Sequence, residues 1–125
     1  MSLDVSLMGP ARWVECRCPE CGNTHERQDR DCYFDANITH NLGKMAAAAG
    51  IYNHLWRPDE IGVFQASELI APLRDGLAKM KADPDFYRGL EPTNKWGTYD
   101  NFLPWIEKYL KACEEHPAAK VEVSR

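Results

Sequence analysis

Apolar and polar residues alternate at both ends of the chain. The segments 3–7 (LDVSL) and 121–123 (VEV) each place an apolar residue at every second position. A period of two is typical of a β-strand with one buried face. Because two such strands would each leave an unpaired edge, we predict that the first and last strands of the chain pair with each other.

Between these ends, apolar residues recur every three or four positions, which predicts amphipathic helices. The first begins at Thr39, whose hydroxyl can cap it, and ends before Gly50. A short helix is expected to end near Leu90. Pro72 and Pro104 are expected near the start of two longer helices, where proline is tolerated. The apolar faces of those helices are formed by Leu69, Leu73, Leu77 and Met80, and by Phe102, Ile106, Tyr109, Leu110 and Cys113.

These elements predict an α+β fold, in which a small antiparallel sheet from the N- and C-terminal strands, together with a cysteine-containing hairpin, is covered by three to four helices. A chain of 125 residues suits a single domain, 1–125, and we expect the hairpin, 16–32, to be an insert in it. No apolar run approaches the roughly 18 residues of a membrane-spanning helix, and residues 1–10 lack the pattern of a signal peptide. A cytoplasmic location is therefore expected.

The charge balance restricts the expected partners. The chain has 15 Lys and Arg against 19 Asp and Glu, which gives a formal net charge of −4. Such a chain does not attract the phosphate backbone by bulk charge, so nucleic acid is not an expected partner. Arginines do cluster near the cysteines, but acidic residues in the same segment offset them.

The strongest local pattern is the CPECG sequence that contains Cys18 and Cys21. Two residues between the cysteines allow a tight turn to direct both thiolates at one Zn²⁺, which is bound tetrahedrally. We predict that Cys16 and Cys32, on the two strands that flank this knuckle, complete the site, or that His25 replaces one of them. Unmetallated thiols or a disulfide are the alternative. Since four protein ligands close a zinc site, the ion would stabilise the hairpin and carry out no reaction.

A second polar segment, from Asn37 to Met45, begins the first predicted helix. Amide, hydroxyl, imidazole and ammonium groups at a helix start can bind an anion or a phosphate, although capping alone also explains Asn and Thr there. Two loops, 56–60 and 94–99, add aromatic and cationic side chains that can stack on a base or a sugar, although a tryptophan in a small domain is more often a core residue. The predicted ligand-binding residues are Asn37, Thr39, His40, Asn41, Lys44, Arg57, Trp96 and Tyr99.

The sequence favours a binding protein over an enzyme, and no catalytic residue is assigned. The zinc-protease and zinc-deaminase patterns are both absent. A less favoured hypothesis is a metal-dependent hydrolase that uses His40, His54 and either Asp59 or Glu60, and nucleic-acid binding through the cysteine hairpin is the least favoured. Cys113 lies on an apolar helix face and is expected in the core.

Several segments carry a resemblance, namely ANITHNLGKM (36–45), GIY (50–52), LWRP (55–58), WGTY (96–99) and VEVSR (121–125). From residue 35 onward the chain resembles a family of small uncharacterised proteins of bacteriophages and bacteria. The resemblance implies that the cysteine hairpin is a variable insert, and it implies a phage or prophage setting with the host cytosol as the location. Small phage accessory proteins often block host defences, some by sequestering nucleotide signals, and the analogy suggests such a role here.

Two functions of different classes follow from these observations. The leading hypothesis is a non-catalytic protein of phage or prophage type that sequesters a small anionic, nucleotide-like ligand and contains a structural Zn²⁺. A homo-oligomer would be able to build the ligand site at its interface. The alternative is an adaptor, or an inhibitor of a host protein, that uses the zinc hairpin as its recognition surface.

Overall fold

The structure is a computed structural model that describes residues 2–10, 12–93 and 96–125. It describes the backbone, but not the side chains, of five strand residues: Val14, Cys16, His25, Arg27 and Gln28. The β-strands are β1 (Ser2–Met8), β2 (Arg12–Arg17), β3 (Thr24–Asp29), β4 (Cys32–Thr39) and β5 (Lys120–Ser124). The α-helices are α1 (Gly43–Ala48), α2 (Tyr52–Trp56), α3 (Ser67–Ala82), α4 (Pro84–Arg88) and α5 (Tyr99–Glu115), and 3-10 turns occur at His40–Leu42 and Pro58–Ile61.

β1 lies in the centre of a three-stranded antiparallel sheet with the strand order β4-β1-β5. Val5 pairs with Ala36 of β4 and with Val123 of β5, so the apolar residues of all three strands lie on one face. Within β1 the apolar side chains of Leu3, Val5 and Leu7 are fully buried. The predicted α+β class and the predicted pairing of the first and last strands are confirmed.

The cysteine-containing hairpin forms a second sheet of two strands, β2 and β3. We predicted that Cys32 lies on the strand that returns from the knuckle along β2, and this is wrong, because 24–29 pairs with β2 whereas 32–39 pairs with β1. The sequence of β3 is THERQD, which has no apolar alternation for a pattern to detect. Cys32 therefore begins a strand of the main sheet and does not flank the knuckle.

The hairpin is joined to the main sheet at its base. The backbone N–H of Gly9 donates to the carbonyl of Asp31 at 2.7 Å. Arg12 forms a two-point ion pair with the Asp31 carboxylate at 2.9 and 3.0 Å. Arg30 forms another with Glu122 of β5, at 2.6 and 3.3 Å. The two ion pairs are exposed, so each contributes little to stability.

The two longest helices, α3 and α5, pack against each other and against the apolar face of the sheet in one hydrophobic core. Pro72 and Pro104 lie one turn further into these helices than we predicted, since each is the sixth residue of its helix. A proline at that position removes only one hydrogen bond close to the helix start, and packing of the apolar face stabilises the rest of the helix. No helix in the described part of the chain is long and apolar enough to cross a membrane.

Candidate functional site

The polar segment that follows β4 is organised by Thr39. Its hydroxyl accepts a hydrogen bond from the backbone N–H of Asn41 at 3.3 Å, so the predicted cap is confirmed. The capped element is the 3-10 turn His40–Leu42, and α1 begins only at Gly43. Because α1 has six residues, its dipole contributes little to anion binding. The side chains of this segment therefore decide what it can bind.

His40 is held in place by Trp56 of α2. The buried indole Nε1–H of Trp56 donates to Nδ1 of His40 at 2.7 Å. An indole nitrogen only donates, so Nδ1 is the acceptor and the neutral ring carries its proton on Nε2. The half-buried imidazole thus presents one N–H donor, in an orientation fixed by a core residue.

A cavity of about 830 Å³ lies beside this turn and brings together five of the eight predicted ligand-binding residues. Its lining consists of Ser2, Asn37, Thr39, His40, Asn41 and Trp96. The Trp96 side chain is 71% exposed. The Asn37 amide donates to Ser2 Oγ at 2.9 Å and to Asp4 Oδ1 at 2.7 Å, so it is fixed by β1. The cavity is therefore lined both by polar side chains, of which Asn37 is held by hydrogen bonds to β1, and by the exposed ring of Trp96.

Lys44 lies in a neighbouring cavity of about 510 Å³, which shares His40 and Asn41 with the first. The other wall of that cavity is the segment from Gly89 to Thr93. Its carboxylate, on Glu91, already accepts a hydrogen bond from the backbone N–H of Tyr99 at 2.8 Å. A ligand that spans both cavities would thus reach the ammonium group of Lys44 as well as the ring of Trp96.

The structure places the two remaining predicted residues elsewhere. Arg57 donates to Glu60 at 2.8 Å, and hydrogen bonds to Glu60 and then Tyr52 raise the pKa of its guanidinium. Tyr99 is buried, and its hydroxyl donates to the carbonyl of Met80 at 2.9 Å. Neither residue lines the two cavities, so neither is available to hold a ligand there.

The residues of the hydrolase hypothesis are not brought together. His54 has a buried Nδ1 without a hydrogen-bond partner in the described part of the chain. Asp59 accepts from Arg125 at 3.3 Å and lines a different cavity from His40. Glu60 is paired with Arg57. The geometry therefore gives this hypothesis no support.

The knuckle at the tip of the hairpin has the tight turn that the sequence predicted. The Cys18 N–H donates to the carbonyl of Asn23 at 2.8 Å, and the Gly22 N–H donates to the carbonyl of Cys18 at 2.9 Å. Gly22 has a φ of 73°, which glycine adopts without strain. Hydrogen bonds from the backbone and side chain of Cys21, and then from the backbone of Glu20, lower the pKa of the Cys18 thiol. They favour the thiolate, which is the form that binds metals.

The rest of the predicted zinc site is only partly described. The backbone register places Cys16 directly opposite His25, one pair before the turn, but the side chains of both lie outside the described residues. Cys32 is exposed and pairs with Met8 at the start of β4. Among the side chains that the structure does describe, no three His, Cys, Asp or Glu residues are grouped as metal ligands.

Sequence reasoning missed two residues of the site, Ser2 and Trp56. Ser2 reaches the cavity because β1 pairs with β4, and residues so far apart in sequence give no local signal. Trp56 is absent from the predicted ligand-binding residues, yet this buried core residue orients His40 through its indole N–H. No family model, curated protein or solved structure matches this chain.

Proposed function

We propose that the protein is a non-catalytic binding protein of phage or prophage type that sequesters a small anionic, nucleotide-like ligand. The observation that supports this is the pair of adjoining cavities that share His40 and Asn41, of which one is lined by Trp96 and the other by Lys44. An exposed indole can stack on a base. The ammonium group of Lys44, in the second cavity, can pair with a phosphate.

Side chains at and beside the residues that the two cavities share can contact the sugar and phosphate oxygens of such a ligand. His40 offers its Nε2–H, and the hydroxyl of Thr39 and the amide of Asn41 can bond to sugar or phosphate oxygens. These groups belong to a turn that is fixed by the Thr39 cap and by the bond from Trp56. A wall that is already ordered loses little conformational entropy when a ligand binds.

Calorimetry with the four common ribonucleoside 5′-monophosphates tests this proposal, with inorganic phosphate and adenosine as partial ligands. Replacing Trp96 by Ala should weaken binding by about 1–3 kcal/mol, the size of one stacking contact. Lys44→Ala should weaken the binding of phosphate-containing ligands by about 1 kcal/mol and leave the binding of adenosine unchanged.

The matched controls for these variants are Trp13→Ala and Lys111→Ala. Trp13 is as exposed as Trp96, at 69%, but it lies on the hairpin strand β2. Lys111 is an exposed lysine of α5. If no probe binds, or if the control variants lose as much affinity as the site variants, the proposal is wrong.

We also propose that a structural Zn²⁺ stabilises the hairpin. An isolated two-stranded hairpin is marginally stable in water. Here β3 is a polar strand, and apart from their pairing with each other the two strands make few contacts with other elements. The turn that holds Cys18 and Cys21 supplies two thiol ligands, and their convergence at the tip supports the proposal.

For the other two ligands the register favours Cys16 and His25 over Cys32. Cys16 and His25 are nearest cross-strand neighbours beside the turn. Cys32 follows the far end of β3, and a six-residue strand separates that end from the tip by about 17 Å. All four ligands would then come from the hairpin, and Cys32 would remain outside the site.

A second candidate function, an adaptor or an inhibitor of a host protein, is favoured by one observation. Trp13 exposes 69% of its side chain on a hairpin that extends from the main sheet. Exposed tryptophans are enriched at protein–protein interfaces. Affinity capture of one defined partner from the host that is lost in Trp13→Ala but kept in Trp96→Ala would support this function over small-molecule binding.

A further inference from the structure

The outer edge of β4 has no partner in the described part of the chain. β4 is an edge strand of the three-stranded sheet. On the opposite edge, β5 is partly covered, because the Val121 N–H donates to the carbonyl of Phe64 and Gln65 forms a bridge with Lys120. Among the residues that the structure describes, none makes a similar bond along the outer side of β4.

The strand register shows which backbone groups of β4 are free. Since the Val121 N–H points away from β1, the alternation of an antiparallel ladder directs the backbone groups of Leu3, Val5 and Leu7 toward β4. Their partners Phe34, Ala36 and Ile38 therefore use their own N–H and C=O groups to bond to β1. The N–H and C=O groups of Asp35 and Asn37 point outward, at the open edge.

We propose that this edge pairs with the same edge of a second copy, so that two three-stranded sheets form one continuous six-stranded sheet. The two β4 strands would run antiparallel about a two-fold axis at Ala36. Asp35 of one copy would exchange two backbone hydrogen bonds with Asn37 of the second copy, and the symmetric pair would exchange two more.

Charge favours the register with its axis at Ala36 over the register with its axis at Asp35. If the two-fold axis passed through Asp35, two carboxylates would lie directly opposite each other, which is destabilising. With the axis at Ala36, each Asp35 faces an uncharged amide. The strand then also overlaps its copy over nearly its full length, since Ala36 is close to the middle of Cys32–Thr39.

The core-facing side chains of β4 also fit a second copy of the chain. Phe34, Ala36 and Ile38 pack against the core but are only half-buried, because no strand of the described chain lies beyond them. In the proposed register, Ala36 meets Ala36 of the second copy at the axis, and Phe34 lies opposite Ile38 of the second copy. A small residue at the axis with a large one on either side lets the two sheets pack closely. This self-complementarity favours a second copy over an unrelated peptide.

Sedimentation velocity over a wide concentration range tests the proposal on the full chain. A dimer of twice 14.3 kDa is expected. Asp35→Pro removes an outward N–H without removing a bond to β1, and should weaken the dimer about 30-fold through the loss of two hydrogen bonds. The matched control is Val123→Pro, which removes an outward N–H on the opposite edge, and the dimer should persist. A monomer at every concentration would overturn the proposal, as would a dimer that dissociates in Val123→Pro alone.

Cross-linking keeps the test valid if the proline variant does not fold. Cα atoms of a non-hydrogen-bonded antiparallel pair lie about 4.5 Å apart, which a disulfide can bridge. Ala36→Cys should therefore form a covalent dimer under mild oxidation by oxidised glutathione, faster than Asp35→Cys, Asn37→Cys or the wild-type chain. Equal rates in all four proteins would show that β4 is not the interface. Because nucleotides and Zn²⁺ take no part in it, this test is independent of the proposed function.

Discussion

Trp56 and His40 are sixteen positions apart in the chain and are joined by a 2.7 Å hydrogen bond from the indole N–H to Nδ1. The bond connects α2 in the core to the turn that lines the candidate ligand site. It gives the buried indole its only polar partner among the described residues, and it selects the tautomer of the imidazole. If the proposed ligand site is correct, stability and ligand recognition would both depend on this pair.

His40→Ala leaves the buried N–H of Trp56 without an acceptor and should lower the free energy of unfolding by about 1–3 kcal/mol. His40→Gln retains a side-chain acceptor, so its free energy of unfolding should fall by less. Urea denaturation of the three proteins measures the difference. Equal stability of the Ala and Gln variants would mean that the bond contributes nothing.

Gly97→Ala should be strongly destabilising. Gly97 has a φ of 104°, and an added Cβ would lie 2.7 Å from Thr39 Cγ2 and 2.8 Å from Leu42 Cγ. Backbone strain and the overlap of the added Cβ with these atoms should together lower the free energy of unfolding by about 3 kcal/mol. Gly62→Ala is the matched control, since Gly62 has a φ of 75° with open space around it and should cost only about 1 kcal/mol.

Thermal denaturation ranks these two glycine variants. Because Gly97 contacts the residues that shape the turn after β4, Gly97→Ala should also weaken any ligand bound beside Trp96. Similar melting temperatures for the two variants would contradict the close packing at Gly97.

Replacement of Cys18 or Cys21 by Ser should abolish binding of Zn²⁺, because each removes one of two thiols in the knuckle. His25→Ala should weaken binding, whereas Cys32→Ser should retain the ion. Native mass spectrometry of protein purified from cells measures the bound zinc and, in the same spectrum, the subunit number and any retained ligand. Zinc that survives in His25→Ala but is lost in Cys32→Ser would assign the fourth ligand to Cys32.

The stability of the fold should fall between about pH 9 and pH 12. Burial, followed by the charge of Glu114, raises the pKa of the Cys113 thiol to about 12, and an unfolded thiol ionises near about 8.5. Between these values the native state keeps a proton that the unfolded state has lost. Stability therefore decreases as the pH rises, by at most about 1.4 kcal/mol per pH unit.

Cys113→Ala should reduce this alkaline decrease, and Cys32→Ala, which alters an exposed thiol, should not. Burial also raises the pKa of Tyr109, so part of the decrease should remain in the first variant. Guanidinium denaturation at a series of alkaline pH values gives the slopes. Identical slopes for the two variants would show that Cys113 is not the group responsible.

Local patterns in the sequence predicted most of the elements, because each reflects how a short segment meets the core. The alternation around Val5 marks a strand that is buried on one face, and the hydroxyl of Thr39 marks the start of a turn. The patterns did not show which strands pair with each other. The strand that begins at Cys32 was predicted, but its pairing with β1 depends on tertiary packing that no local pattern contains.

The candidate site was predicted in part for the same reason. Asn37, Thr39, His40 and Asn41 are close in sequence and therefore remain close in the fold. Tyr99 lies near Trp96 in sequence, yet the start of α5 turns it into the core, where its hydroxyl bonds to Met80. Whether an aromatic residue at a helix start faces the solvent or the core depends on how that helix packs, which only the folded chain shows.

The base of the hairpin, where Gly9 and Asp31 meet, has a consequence for which segments this chain can carry. Gly9 and Asp31 are joined by a 2.7 Å backbone bond, so the insert leaves the sheet and returns to it at almost the same point. β1 and β4 would remain neighbours if a short turn joined them there. A segment of another length or chemistry joined at Gly9 and Asp31 should therefore leave the core packing unchanged, so new recognition elements could be attached at this point.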